Sequence, residues 1–378
     1  MMETIEKYLG KLVAQGLVDS SEDASLFSMD DRIYSKDENI PQIVEYLFKT
    51  LNITSLIIAR PSRLILNIIG ELKKVCPDRI APKDSESITF IHDIPVLQDM
   101  DSKTIATALK RRKGCIATDG SIIATGSITL EQAFVVFSSI CFALFVKYFS
   151  DVLNSLGGSH GNVHYECTVI EPSSTILGMI GPPGPIRRPS LVIPESEYDV
   201  ISTMVDTGKA TVESGLVDSF FGNISYTLDD YMYISQTAAA LDELEGLIDK
   251  VALDGSSTND ITSSSEMGSH LRIHELTLDR AILHGHPKFS VIMSMYGKPM
   301  ELGEKRYLGD IHVVYRRVGE GKKGLVHALH PAMQESRAAI AYGHGTFTSG
   351  SESFLDAFDK MLYIENACFE MLKGLLSI

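Results

Sequence analysis

Three histidines in the second half of this chain have a spacing that suits metal binding. His284 and His286 close an apolar run from Ala281 that we predict to be a β-strand. Side chains two residues apart on a strand point to the same face, so the two imidazoles can converge on one ion. His344, which lies between two glycines, follows a second apolar run that is also typical of a strand. A His-x-His pair alone is more often the polar end of a strand, so the predicted metal site depends on all three residues.

A carboxylate beside these imidazoles would complete a catalytic set. Three histidines with an open fourth position are the usual ligands of a catalytic zinc, and neutral imidazoles leave the ion its full charge to polarise an oxygen. We therefore expect Zn²⁺, or another divalent transition metal, at His284, His286 and His344. Glu266 begins a segment with helical spacing and is our candidate for moving a proton beside the polarised group. The alternative for Glu266 is a helix-capping role.

Three donor-rich turns are candidates for holding an anion. Ser264 and Ser265 come directly before the predicted helix, whose free N–H groups and dipole favour negative charge. Gly222 permits close backbone approach beside the side-chain amide of Asn223, and Thr237 lies in a polar turn after a predicted strand. Each of these turns, taken alone, is more often a turn without a ligand.

The composition limits the classes of partner. The chain has 378 residues, of which 44% are hydrophobic and 22% charged, and a net charge of -15; this is globular composition in a length typical of more than one domain. The negative charge argues against binding to nucleic acid or to a membrane surface, so we expect a small-molecule partner. The N-terminus lacks the basic start and apolar core of a signal peptide, which predicts a cytoplasmic protein.

The most apolar stretch is predicted to be a buried helix. It runs from Phe134 to Phe149, contains two serines and Lys147, and is short for a bilayer span. Turns rich in glycine and proline at 157–161 and 181–185 mark a linker region after it.

Two copies of one pattern run through the chain. Gly-Leu-Val-Asp-Ser occurs at 16–20 and again at 215–219, each time before a predicted hairpin. Later landmarks match in the same order. An apolar run ends at Pro61 and again at Pro287, a second run is followed by Gly120 and again by Gly345, and a long closing helix is predicted from about Thr129 and again from about Glu352. We therefore predict two related domains, 1–153 and 194–378, joined by a linker region at 154–193. Chance similarity is the alternative.

The first copy lacks the candidate metal ligands. At the positions of the three histidines it has Ile58, Arg60 and Asp119 when the landmarks are superposed. The block that contains Glu266 and the serine pair is missing from it as well. Because these residues are absent together, we interpret them as one functional unit, and we predict that the first copy is structural and the second carries the site.

The ordered motifs of the second half resemble the class II aldolase and adducin head-domain family, which includes L-fuculose-phosphate and L-ribulose-phosphate enzymes. The resemblance spans about Pro194 to Leu375 and rests on Gly-Asn-Ile-Ser, Ser-Gln-Thr-Ala, Ser-Ser-Glu, His-Gly-His-Pro and Gly-His-Gly before a long helix. It implies an α/β fold of two tandem three-layer α/β/α domains with mainly antiparallel central sheets, the first of them degenerate.

The resemblance also implies a role for each candidate residue. His284, His286 and His344 match the family's zinc triad, and Glu266 matches its acid/base glutamate. Small and polar residues fall on positions that bind substrate phosphate or let the phosphate loop close, and these are Gly222, Asn223, Thr237, Ser264 and Ser265. Tyr315 is the candidate for the catalytic tyrosine, within an atypical stretch, and Ala238 stands where the family has a glycine in the phosphate turn.

The activity that the resemblance implies is that of a zinc-dependent lyase, an aldolase of carbohydrate metabolism. Its substrate would be a phosphorylated ketose or a related hydroxy-carbonyl compound, and the reaction would pass through an enediolate. An epimerase, dehydratase or decarboxylase of the same superfamily is an alternative, as is a non-catalytic, adducin-like binding module. Because the family's sites lie between subunits of a four-fold ring, we expect a homo-oligomer, and two fused domains could give a dimer that acts as a pseudo-tetramer.

Overall fold

The computed structural model of the chain describes residues 1–37, 39–156, 170–217, 221–254, 256, 262–315 and 324–377. It divides into two compact units, Met1–Ile180 and Gly181–Ile378, which we call unit 1 and unit 2. The predicted boundaries at 153/154 and 193/194 stay a prediction. His160 and His164 in the linker, and Asp218 and Ser219 of the repeated motif, lie outside the described residues.

Unit 1 alternates helices with short strands. Its helices are α1 (Met2–Ala14), α2 (Gln42–Thr50), α3 (Arg63–Val75), α4 (Ser85–Phe90), α5 (Ser102–Arg111), α6 (Leu130–Leu156) and α7 (Ser174–Leu177). Its strands are β1 (Ala24–Met29), β2 (Ile33–Ser35), β3 (Ser55–Ala59), β4 (Arg79–Ile80), β5 (Ile94–Pro95), β6 (Gly114–Ile116) and β7 (Ile122–Gly126). Five of these strands form one antiparallel sheet in the order β2-β1-β3-β7-β6, and β4 and β5 pair separately.

The long helix α6 is the centre of the unit 1 core. It is long and apolar enough to cross a membrane, but 94% of its most apolar window is buried inside the protein. The predicted buried helix is therefore confirmed. Two of its charged residues, Lys147 and Asp151, are buried as well: the ammonium Nζ of Lys147 lies 2.8 Å from Oδ2 of Asp151, and Lys83 pairs with the other carboxylate oxygen.

Within the described residues, unit 2 contains a larger sheet and fewer helices than unit 1. Its helices are α8 (Glu197–Glu213), α9 (Met267–Thr277), α10 (Lys288–Ser294), α11 (Val326–Ser336) and α12 (Phe354–Leu376). Its strands are β8 (Asn223–Leu228), β9 (Tyr231–Ser235), β10 (Ile248–Ala252), β11 (Ala281–Gly285), β12 (Lys305–Leu308), β13 (Ile311–Val314), β14 (Ala338–Ala341) and β15 (Gly345–Gly350).

The eight strands of unit 2 form one sheet in the order β10-β9-β8-β11-β15-β14-β13-β12. Every neighbouring pair is antiparallel except β13 and β14, which confirms the mainly antiparallel sheet. Successive residues of β11 enter two different cores: Leu283 packs with α8 and α12, and Ile282 packs with α9 and α11. Helices therefore cover both faces of the sheet, and β11 lies at its centre.

Five strands have the same order in the two sheets. The order β2-β1-β3-β7-β6 of unit 1 matches β9-β8-β11-β15-β14 of unit 2, with antiparallel neighbours throughout. The repeated Gly-Leu-Val motif follows α1 and α8, where Gly16 and Gly215 both have a positive φ of 62° and 67°, a conformation that glycine adopts without strain. The predicted closing helices are present as α6 and α12.

One detail of the predicted helix before His284 is wrong. Met267, Leu271, His274 and Leu278 recur at spacings of three and four, which predicts a helix that includes Leu278, but the helix ends at Thr277 and Leu278 is 83% exposed. Leu278 has a φ of 60°, in the left-handed region that ends a helix, so the chain turns there into β11. The sequence did not indicate this helix end, because Leu278, and not a glycine, adopts the left-handed conformation there.

Candidate metal centre

The central strands of unit 2 bring the three histidines together. His284 lies on β11 and His286 directly after it, so both project towards one face, as their spacing predicted. His344 lies in the tight turn between β14 and β15, where its N–H donates to the carbonyl of Ala341 over 3.0 Å. Because β15 pairs with β11, this turn places His344 beside the end of β11. All three side chains are buried.

The three imidazoles are close enough to share an ion. Their candidate ligand atoms lie within 4.8 Å of one another, and Nε2 of His284 lies 3.0 Å from Nε2 of His286. A tetrahedral zinc with Zn–N bonds of about 2.0 Å separates its nitrogens by about 3.3 Å. The cluster therefore has the scale of a mononuclear site.

The hydrogen bonds around the rings suit metal ligation. Nδ1 of His284 lies 3.1 Å from the carbonyl oxygen of Thr346; the ring must donate there, which leaves its Nε2 as a lone pair facing the other histidines. Nδ1 of His286 is buried without a hydrogen-bond partner among the described residues. Burial, followed by the neighbouring His284 and His344, lowers the pKa of His286 well below its ordinary value. A neutral imidazole is the form that binds a metal.

Glu266 lies at the edge of the histidine cluster. Its two carboxylate oxygens are each 3.2 Å from an imidazole nitrogen, Oε2 from Nε2 of His284 and Oε1 from Nε2 of His344. Burial by itself would raise the pKa of Glu266, but His284, His344 and Asn223 outweigh burial and hold that pKa well below its ordinary value. Glu266 precedes α9 without making a side-chain capping bond. The helix-cap alternative is therefore wrong for this residue.

A buried hydrogen-bonded chain extends behind Glu266. The side-chain N–H of Asn223 donates to Oε2 of Glu266 over 2.8 Å, and Oδ1 of Asn223 lies 2.5 Å from Nε2 of His270. The hydroxyl of Ser225 lies 2.6 Å from Nδ1 of His270 and 2.9 Å from Nε2 of His274. Burial lowers the pKa of His270 to about 3 and that of His274 to about 4. This chain holds the Asn223 amide, and through it the carboxylate, in one orientation.

Sequence reasoning missed most of this chain. His270 and His274 follow Glu266 by four and eight residues, which places them on one face of α9. The helical spacing includes His274 only as one position of a repeating face, and it gives His270 no role. The spacing of four between Glu266, His270 and His274 could have indicated that they share a helix face. Their contact with Ser225 on β8 could not be predicted, because it depends on how α9 packs on the sheet.

Close packing leaves the histidine rings little freedom. The ring of Phe347 stacks on His284 with a centroid distance of 3.9 Å. Gly345 has no room for a side chain, since a Cβ there would lie 2.8 Å from Cε1 of His284 and 2.8 Å from Cδ2 of His286. Gly222 is similarly confined, because its Cβ would lie 2.8 Å from the carbonyl oxygen of His284. These glycines allow the backbone to approach the cluster.

A buried carboxylate fixes the segment after His286. Glu365 of α12 accepts N–H bonds from Phe289 and Ser290, the first turn of α10, at 2.7 and 2.8 Å. Burial raises the pKa of Glu365 to about 7, although the two N–H bonds act in the opposite direction and lower it. Since α10 starts two residues after His286, Glu365 helps to hold the end of the ligand segment.

The predicted anion-binding turns are neighbours in the structure. The N–H of Thr237 donates to the carbonyl of Thr262 over 2.9 Å, and the N–H of Ser264 donates to that of Ser235 over 3.1 Å. These bonds bring Thr237 next to the Ser264–Ser265 turn. Thr237 and Ser265 are exposed, whereas Ser264 is buried and its hydroxyl accepts the N–H of Glu266. The Asn223 amide, by contrast, is occupied by Glu266 and His270.

Ala238 keeps the backbone conformation of a glycine. Its φ is 59°, in the left-handed region that costs a non-glycine residue about 1 kcal/mol. We expect Ala238→Gly to raise the free energy of unfolding by roughly this amount, less the entropy that glycine adds to the unfolded chain. Urea denaturation measures the change. Ala328→Gly, inside α11, is the control and is expected to destabilise by about 1 kcal/mol; equal losses in both variants would contradict the strain at Ala238.

Tyr315 lies next to another tyrosine rather than in the histidine cluster. Its ring centroid is 4.9 Å from that of Tyr342, which precedes Gly343 and His344. The residues that follow Tyr315, 316–323, lie outside the described part of the chain. The catalytic role of Tyr315 therefore stays a prediction.

Comparison with known proteins identifies the second half of the chain. Residues 202–372 match the class II Aldolase and Adducin N-terminal domain family. This range contains the three histidines, Glu266 and every other predicted site residue. No curated protein matches the chain.

Several solved structures are similar to about half of the chain. L-fuculose-1-phosphate aldolase from Thermus thermophilus is 22% identical, with 46% of this chain and 93% of that chain covered and a TM-score of 0.40. YgbL from Klebsiella pneumoniae, a candidate aldolase, epimerase or decarboxylase, is 22% identical over 48% of this chain and 92% of its own, with a TM-score of 0.42. A sugar-phosphate aldolase from Thermotoga maritima is 19% identical over 48% and 96%, with a TM-score of 0.36.

Proposed function

Since residues 202–372 belong to the class II aldolase and adducin N-terminal domain family, we propose that this chain is a metal-dependent lyase of the aldolase type. Its substrate is a phosphorylated ketose or a related hydroxy-carbonyl compound, in which a carbon–carbon bond is broken or formed. The observation that carries the proposal is the buried cluster in which His284, His286 and His344 lie within 4.8 Å of one another beside Glu266.

His284, His286 and His344 would hold the metal ion. A set of three neutral imidazoles suits zinc, and other divalent transition metals bind the same donors. When bound, the ion supplies a positive charge that polarises the substrate's oxygens. The protein contributes the fixed orientation of the rings, through Thr346 behind His284 and Phe347 against its face.

Glu266 would move the proton. Its carboxylate is buried, is not needed as a fourth ligand and is held by the amide of Asn223. The pKa of Glu266 lies well below its ordinary value, so the residue starts as a base that can accept a proton from substrate and return it to product. The buried chain of Asn223, His270 and Ser225 acts through Glu266, by keeping the carboxylate turned towards the cluster.

The exposed turn beside the cluster would bind the substrate's phosphate. Thr237 and Ser265 present hydroxyl groups on adjacent loops, and Ser264 fixes the second loop. The family resemblance also assigns phosphate binding to Gly222 and Asn223. The side chain of Asn223, however, is hydrogen-bonded to Glu266 and His270, which supports a role in orienting Glu266. Tyr315 is proposed as the catalytic tyrosine on resemblance alone.

Unit 1 is proposed to be a degenerate copy of the same domain. The shared order of five strands supports this duplication. With the landmarks superposed, Ile58, Arg60 and Asp119 stand at the positions of the three histidines, so unit 1 has no imidazole at any of them. We propose that the protein is cytoplasmic and that two chains associate as a pseudo-tetramer. Light scattering of the purified protein tests the association and should give the mass of a dimer.

A panel of phosphorylated ketoses tests the proposed reaction. The zinc-loaded chain is expected to release an aldehyde from at least one member, and the same protein treated with a chelator is expected to release none. Inversion of a stereocentre, loss of water or release of carbon dioxide from the same panel would identify an epimerase, dehydratase or decarboxylase instead. A chain that binds no metal and turns over no substrate would be a binding module.

A further inference from the structure

Unit 1 contains a concave pocket that is lined by residues between Asp78 and Arg111. Its volume is about 610 Å³, which is in the range of small-molecule sites. The segment from β4 to the loop after β5 forms one wall, and the exposed side of α5 forms the other. Half-buried and buried apolar residues form its floor, namely Pro95, Val96, Leu97 and Ala108.

The wall of this pocket carries arginines that are incompletely paired. Asp93 is already bound by both Nε and Nη2 of Arg112, at 2.5 and 3.1 Å. Two further guanidinium groups approach the same carboxylate, Arg79 at 3.7 Å and Arg111 at 3.9 Å. Neither group makes a hydrogen bond within the part of the chain that the structure describes, and their side chains are 59% and 67% exposed. Their donors are therefore available to a ligand.

The local charge is opposite to that of the whole chain. Three basic side chains, Arg79, Lys103 and Arg111, and two carboxylates, Asp78 and Asp93, line the pocket. Arg112, which is not part of the lining, already pairs with Asp93, so about two positive charges of the lining are left unbalanced. The chain as a whole carries -15. Two of these arginines belong to the run Lys-Arg-Arg-Lys at 110–113, a basic run that our sequence reasoning overlooked.

We propose that this pocket binds a small soluble phosphate monoester. A dianionic phosphate would balance the two positive charges of the pocket. The guanidinium groups of Arg79 and Arg111 lie near one another, beside Asp93, and can bind the phosphate oxygens. Lys103 and Thr104 line the same pocket. The apolar floor accommodates the ester's carbon chain. An ordinary solvated ion cluster would bind no such ligand, because exposed ion pairs create no excess charge in a concave site.

The test is calorimetric titration of the full chain with glycerol 3-phosphate. Arg79→Ala combined with Arg111→Ala is expected to weaken binding by about tenfold or more, since two charge-assisted contacts are lost. Arg32→Ala combined with Arg63→Ala removes the same charge from exposed positions of unit 1 outside the pocket and is expected to keep the affinity within about twofold. Circular dichroism of each variant confirms that it is folded.

A third variant separates this pocket from the proposed substrate site of unit 2. Ser264→Ala combined with Ser265→Ala is expected to keep the glycerol 3-phosphate binding that Arg79→Ala combined with Arg111→Ala loses. Equal affinity in wild type and in the Arg79/Arg111 variant would overturn the proposal, as would loss of all phosphate binding in the serine variant. Preference for vesicles that contain phosphatidic acid over the soluble ester would also overturn it, because the source of the phosphate would then be a lipid surface.

Discussion

Glu266→Gln is expected to leave the metal content unchanged and to lower turnover by about two to four orders of magnitude. Glutamine has the shape of glutamate and can keep one bond to Asn223, whose N–H lies 2.8 Å from Oε2, but it cannot accept a proton. The three imidazoles that would hold the ion are untouched. Elemental analysis and turnover of the best substrate in the ketose panel, measured on one preparation, give both quantities.

Glu275→Gln is the matched control for this change. Glu275 is on the same helix, α9, and forms an exposed ion pair with Arg272 at 2.6 Å. Its replacement alters the same charge without reaching the cluster, so turnover should stay within about twofold of wild type. Full activity of Glu266→Gln would exclude Glu266 as the proton carrier, and loss of metal in that variant would instead make it a ligand.

Gly345→Ala is expected to lower metal affinity by about 10- to 100-fold and to destabilise the metal-free protein by about 1–3 kcal/mol. The added Cβ would lie 2.5 Å from the carbonyl oxygen of Gly285 and 2.8 Å from both the His284 and His286 rings. The backbone oxygen belongs to a central strand and cannot move easily, so the rings must separate. Titration with zinc against a competing chelator measures the affinity, and urea denaturation measures the stability.

A second glycine separates the steric effect from the general effect of adding a methyl group. Gly374 lies on α12, and a Cβ there would meet no atom within 4 Å. Gly374→Ala should leave metal affinity unchanged and stabilise the protein by about 0.5–1 kcal/mol, because alanine favours a helix. Unchanged metal affinity in Gly345→Ala would contradict the proposed use of both His284 and His286 as ligands.

The sequence could predict the parts of the site that depend on local periodicity. The alternation of apolar residues up to His286 predicts β11, and the two-residue spacing then places His284 and His286 on one face without knowledge of the fold. The turn at His344 follows from its two glycines. These two segments meet because β11 pairs with β15 in the antiparallel sheet. The family resemblance implied the meeting through its zinc triad, whereas periodicity alone could not predict it.

The parts that could not be predicted are contacts between distant segments. Ser225 on β8 meets His270 and His274 on α9 because the helix packs over the sheet.

In unit 1, Lys147 interrupts the apolar stretch of α6, and its partner Asp151 stands one turn further along the same helix, a spacing visible in the sequence. The second partner of Asp151, Lys83, comes from a remote loop that no local pattern connects to it.

The most direct test of the central claim is the metal content of the purified chain and of its His286→Ala variant. We predict about one zinc, or another divalent transition metal ion, per wild-type chain after dialysis. The variant should hold less than a tenth of that amount at the same free metal concentration, since removal of one of three ligands costs at least about tenfold in affinity. A wild-type chain that takes up no metal, or a variant that retains the full amount, would contradict an ion shared by His284, His286 and His344.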